Sequence, residues 1–148
     1  MKLQKISPRK QKERDAIIFG ETPTDELYDK YGGPNGEDLY SFEGLSVESA
    51  EQLILKGYLK KMSGHNNSPT AKQMLAFANY AKGRADVTFG GYAAGGSRYA
   101  WVSLDGIEVV VHGNHPDIIQ RFYETFKEAD VHNASIRTTG ATLSAWYD

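Results

Sequence analysis

The sequence contains no cysteine. Disulfide staples, thiolate nucleophiles and thiolate metal ligands are therefore excluded, and the absence fits a reducing compartment. Long apolar runs are missing as well. Nowhere in the 148 residues is there a stretch that could span a bilayer. Met1-Lys2-Leu3-Gln4-Lys5-Ile6 leads into further charge, not into the apolar segment of a signal peptide. These absences predict a cytoplasmic protein with no membrane contact. Internal repeats and low-complexity blocks are also absent, which argues against a solenoid or a linker-rich chain. A chain of this length is expected to bury roughly 68–70% of its unfolded surface, so folding requires no metal or disulfide.

What is present is charge, unevenly placed beneath a net −2. Residues 1–14 carry Lys2, Lys5, Arg9, Lys10, Lys12 and Arg14 against Glu13, a local +5. Residues 15–51 carry ten acids against Lys30 alone, a local −9, and the remainder carries +2. Residues 1–14 therefore read as a flexible basic tail, with Lys5, Arg9, Lys10, Lys12 and Arg14 as the groups for a polyanion. Residues 15–148 read as one domain, divided into an acidic helical part (15–67) and a second part (68–148). Glu21, Asp25, Glu26, Asp29, Glu37 and Asp38 form the candidate acidic partner surface.

Local signals give the order of elements. Thr22-Pro23 through Gly32-Gly33-Pro34 has the start and stop signals of a short helix, followed by a loop from Asn35 to Phe42. Ser46 caps a helix with the apolar stripe Val47, Ala50, Leu53, Ile54, and Gly57 suits the left-handed position after its end. Ser68-Pro69 opens a second helix whose stripe is Ala71, Met74, Leu75, Ala78, Ala81. Asp86 to Ala93 reads as a strand, weakened by Gly90-Gly91. Residues 116–129 form a further helix with Ile118, Ile119, Phe122, Phe126 and Ala129 on one side. Ser135 to Tyr147 reads as strand, turn near Thr139-Gly140, and strand.

The segment Tyr99 to Val111 organises the rest. Asp105-Gly106 is the pair favoured in a type I′ turn, which predicts a hairpin with Leu104 facing Ile107 and Val102 facing Val109. One face is then apolar (Ala100, Val102, Leu104, Ile107, Val109, Val111). The other carries Tyr99, Trp101, Ser103, Glu108, Val110 and His112. The fold class expected is α+β: a mostly antiparallel sheet of four to five strands. The helix at 116–129 covers one face, and the N-terminal helices lie on or beside the other.

The order helix (69–82), three strands, helix (116–129) is similar to that of the double-stranded RNA-binding domain. That family places a lysine cluster at the start of its second helix to grip phosphates. Here His115, Pro116 and Asp117 stand at that place, so the resemblance implies element order and not RNA binding.

Catalytic and metal motifs are weak. His112-x-x-His115 straddles a strand end and a helix start, without the shared helical face of H-E-x-x-H or a third ligand nearby. Asn35-Gly36-Glu37-Asp38 lacks the alternating ligands of an EF-hand loop. The glycine-rich segment 90–97 lies between strands and has no following Lys-Ser/Thr pair, so it fits no phosphate loop. No metal or cofactor is expected. The leading expectation is a small non-enzymatic binding protein that acts on another protein. In its sharpest form it is an acidic mimic of nucleic acid that inhibits a nucleic-acid-binding protein, as small phage and mobile-element proteins do. Two alternatives stand beside it. One is nucleic-acid binding through the basic tail; the other is a small-molecule binder or enzyme with a site at Tyr99, Trp101, Glu108 and His112.

Overall fold

The computed structural model describes residues 7–20, 39–64, 67–94 and 101–147. Helix α1 (Pro8–Phe19) starts where the Ser7 side chain accepts a hydrogen bond from the Lys10 N–H, with proline just inside the first turn. Gly20, in the left-handed region, ends it. Residues 8–14 are thus the first turns of a helix, where the sequence suggests a frayed tail. The cause is the face that this helix buries: Arg14, Asp15 and Ile18 are all removed from solvent.

Strand β1 (Leu39–Ser46) begins inside the segment expected to be loop. It runs directly into α2 (Val47–Leu55), capped by Ser46 as the sequence predicts. The end of α2 is also as predicted. Gly57 has a φ of 85°, its N–H reaches the Ile54 carbonyl, and the Tyr58 N–H reaches the Leu53 carbonyl. Helix α3 (Ala71–Ala81) starts two residues later than the Ser68-Pro69 signal suggests. Thr70 and Gln73 form a reciprocal capping box, in which each side chain accepts from the other's backbone N–H. Two otherwise unpaired donors are satisfied there, which fixes the start at Thr70.

The remaining elements are β2 (Ala85–Ala94), β3 (Val102–His112), α4 (Pro116–Thr125), β4 (Val131–Arg137) and β5 (Gly140–Trp146). Helix α4 ends before Ala129, and Glu128 takes a positive φ in the connection. The strands form one five-stranded antiparallel sheet in the order β1-β2-β3-β5-β4. Both edges are therefore β1 and β4. β1 is bulged between Phe42 and Leu45 and packs against α1.

The hairpin expected at Asp105-Gly106 is absent. Both residues lie inside the continuous strand β3, paired on one side with β2 and on the other with β5. Neither adopts a positive φ, so the I′ turn has no basis. Asp105 is instead the extra residue of a bulge: Gly90 pairs with Gly106 and Gly91 with Leu104, leaving Asp105 unopposed. One extra residue resets the alternation, so Leu104 and Ile107 share a face in a single strand as they would across a turn. Among the described residues the apolar side of the predicted division (Val102, Leu104, Ile107, Val109, Val111) therefore holds although the predicted connection does not; Tyr99 and Ala100 lie outside them. Among the described residues only two strands separate α3 from α4, so the element order of the RNA-binding domain is not reproduced there.

The core lies on one side of the sheet. Phe42, Phe89, Ile107, Val109, Leu143 and their neighbours form a single buried cluster with Ile18, Leu53, Met74, Phe77, Ile118 and Phe122, which come from all four described helices. Phe77 of α3 meets Phe122 and Phe126 edge-on, at centroid distances of 6.1 and 5.5 Å. Helices α2 and α3, expected on or beside the second face, contribute Leu53, Met74 and Phe77 to the same core as α4. On that second face Ser41, Glu43, Asp86, Glu108, His112 and Thr142 are exposed.

Candidate interaction face

The open face owes its shape to two glycines. Gly90 and Gly106 are cross-strand partners on β2 and β3, and Trp146 of β5 pairs with Gly106. Absent side chains leave a notch into which the indole settles. A Cβ on Gly106 would lie 2.2 Å from Trp146 Cε3, and one on Gly90 would lie 3.0 Å from Trp146 Cζ3. The Tyr92 ring meets the indole edge-on at 5.8 Å. Beside it runs a groove of about 310 Å³ bordered by Glu43, Thr88, Glu108, Asn133 and Ser144. Among the described residues its lining holds two carboxylates and neither lysine nor arginine. Both glutamates are exposed.

The candidate set Tyr99, Trp101, Glu108, His112 is not one pocket. Tyr99 lies outside the described residues. A hairpin would have brought Trp101 back beside Val110; the straight strand instead separates Trp101 from His112 by roughly 35 Å at about 3.3 Å per residue. Trp101 is half-buried where β3 begins, and its carbonyl accepts from the Ala94 N–H. Glu108, Val110 and His112 do share the open face. His112 Nε2 lies 2.8 Å from Asp86 Oδ2 at the exposed far end. Ser103 and Asp105 are buried and joined by a hydrogen bond from the serine hydroxyl to the carboxylate.

The acidic set Glu21, Asp25, Glu26, Asp29, Glu37 and Asp38 lies outside the described residues, as does Lys5. Arg9, Lys10 and Lys12 are exposed on α1. Arg14 is not available to a polyanion. Its guanidinium is fully buried, with Nε 2.9 Å from Asp15 Oδ1 and Nη2 2.7 Å from the Ala94 carbonyl. The Tyr40 hydroxyl donates to the same Asp15 oxygen and receives a contact from Arg14. Burial, reinforced by the Asp15 charge and opposed by Arg14, raises the Tyr40 pKa far above its ordinary value. Beside it, midway along α1, Glu13 accepts from the Tyr58 hydroxyl, and burial together with that bond pushes the Tyr58 pKa up to about 12.

Trp146 and Glu43 escape sequence reasoning. The available signal is a tryptophan alternating with Thr142 and Ser144 on the outward positions of a strand, near paired glycines in other strands. Only the sheet order places them together. Among the described residues no group of three or more His, Asp or Glu side chains converges as a metal site, and no helix is long and apolar enough to cross a membrane.

Fold and face together define a two-layer α+β protein whose sheet is covered by helices on one side and carries an acidic, tryptophan-bordered groove on the other. The chain matches no family model, no curated protein and no solved structure.

Proposed function

We propose that this is a non-enzymatic binding protein whose open sheet face docks on a basic surface of another protein. The observation that carries this reading is the groove: Glu43 and Glu108 are exposed, no cation lies among its described lining residues, and half-buried Trp146 supplies apolar area beside them. Phosphates are repelled by such a lining, whereas lysine or arginine side chains are attracted to it and can lie against the indole. By sequence alone residues 15–51 carry −9, which also favours a basic partner over a polyanion. A partner that itself uses its basic surface to hold nucleic acid would be inhibited by this contact.

Nucleic-acid binding through the N-terminus is the weaker reading, since Arg14 is committed to Asp15, Tyr40 and Ala94 and only Arg9, Lys10 and Lys12 face solvent in α1. The test is capture from the native cell extract after nuclease treatment, with wild type and the Glu43→Lys/Glu108→Lys double variant. A protein retained by wild type and lost with the double variant, whose circular dichroism is unchanged, is the expected result. Retention by both, or capture of nucleic acid abolished by Arg9→Ala/Lys10→Ala/Lys12→Ala, overturns the proposal.

A further inference from the structure

A second surface has a different character. β4 is an edge strand, and all seven of its residues are exposed. Its partners across the β5 ladder show how abruptly the helical layer stops. His132, Ala134 and Ile136 stand opposite Ala145, Leu143 and Ala141, which are buried in the core, yet they themselves are open to solvent. Val131 and Ile136 are 46% and 57% exposed, and Tyr123 on the adjoining helix α4 is 42% exposed with its ring 5.9 Å from His132. Three of the five exposed large apolar side chains among the described residues thus gather at this one edge. An edge strand also presents backbone N–H and C=O groups outward at every second residue, a template for another strand. The usual protections are missing: β4 contains no proline, no lysine and no bulge.

The sequence of this edge indicates what pairs with it. Acidic Glu128 and Asp130 precede the strand and basic Arg137 ends it. Antiparallel pairing of β4 with β4 of a second copy, centred on Ala134, sets Arg137 of each copy against the Asp130-Val131 step of the other. His132 then faces Ile136 and Asn133 faces Ser135. Parallel pairing would set Arg137 against Arg137. Under this register Ala134 meets Ala134 on a two-fold axis, and each Arg137 falls beside the acidic end of the other copy's strand, as an isologous interface requires. We infer that this protein forms a homodimer through β4, joining two five-stranded sheets into one, with Tyr123 and Ile136 of both copies closing the helix side of the seam. Val131 and Asn133 of β4 also line the groove, but the pairing is argued from the strand edge and does not rest on the groove's proposed partner.

The absence of cysteine makes a direct test available. Opposed residues of an antiparallel pair lie within disulfide reach, so Ala134→Cys should crosslink two copies on mild oxidation, while Ser41→Cys on the opposite edge should not. Sedimentation of wild type should show a dimer that dissociates on dilution. Ile136→Lys and Arg137→Asp should each sediment as monomers with wild-type circular dichroism, and Asp130→Arg combined with Arg137→Asp should restore the dimer. That restoration separates a lost contact from a lost fold. A wild-type monomer across the micromolar range, or a dimer that both single substitutions leave intact, overturns the inference.

Discussion

Arg14 and Asp15 are neighbours in sequence and both are fully buried, a costly arrangement that the structure supports with contacts to Tyr40 and the Ala94 carbonyl. Removing one member of a buried pair strands the other charge, at a cost of about 3–5 kcal/mol. Arg14→Leu should therefore lower stability by that amount, and Arg14→Leu/Asp15→Leu should lower it less than Arg14→Leu alone; urea titrations followed by circular dichroism read both. Composition could not distinguish Arg14 from Arg9, Lys10 or Lys12, since all belong to one basic run. Helical spacing could have done so, because Arg14 and Asp15 fall on the same side as Ile18. A second residue-scale effect concerns Asp117. The Tyr80 hydroxyl and the Arg84 guanidinium hold its carboxyl down at about 2, well below the ordinary 3.8. The carboxylate form is favoured in the folded state, so its contribution is present above about pH 4 and is lost as the pH falls toward 2. Asp117→Asn should flatten the pH dependence of unfolding in that window and leave neutral pH behaviour little changed in slope.

At the scale of elements, β3 shows why a local signal can give the right faces for the wrong reason. A two-residue turn and a one-residue bulge both interrupt strict alternation once, and the apolar pattern of Val102, Leu104, Ile107, Val109 and Val111 is the same for either. What decides is non-local. β2 and β5 pair with β3 on both sides through the Asp105 region, and the Tyr147 N–H donates to the Asp105 carbonyl. Gly106 is required there not for a turn but because Trp146 occupies the space of a side chain. Gly106→Ala should displace the indole and cost about 1–3 kcal/mol as an overpacked site, read as a shift in tryptophan emission together with a lower unfolding midpoint. Caps fared better than connections. Ser46 and Gly57 act within a few residues of themselves, and their roles were legible in the sequence. The start of α3 was displaced because a reciprocal Thr70–Gln73 cap outcompetes a single one.

For the molecule as a whole, the fold class and the antiparallel sheet were legible from periodicity. The one-sided stacking was not, because apolar stripes on α2 and α3 reveal that each helix packs but not on which face. The candidate site suffered most from this. Its residues were gathered by a hairpin that the chain does not make, and Trp146 and Glu43 reach Glu108 only through strand order. The basic N-terminal segment gives the clearest check at this scale. Deleting residues 1–15 removes Arg14, Asp15 and most of α1, so the urea midpoint should fall by at least as much as in Arg14→Leu, whereas loss of a solvated tail would leave it unchanged. The two sheet edges also differ in their consequences for growth. β1 is bent by its bulge and held under α1; β4 is bare. A sheet that can be extended at one edge only stops at a closed pair, because each added copy uses up the edge that admitted it. On the inferred pairing through β4, the bulged β1 strands would then stand at the two outer edges of a closed pair.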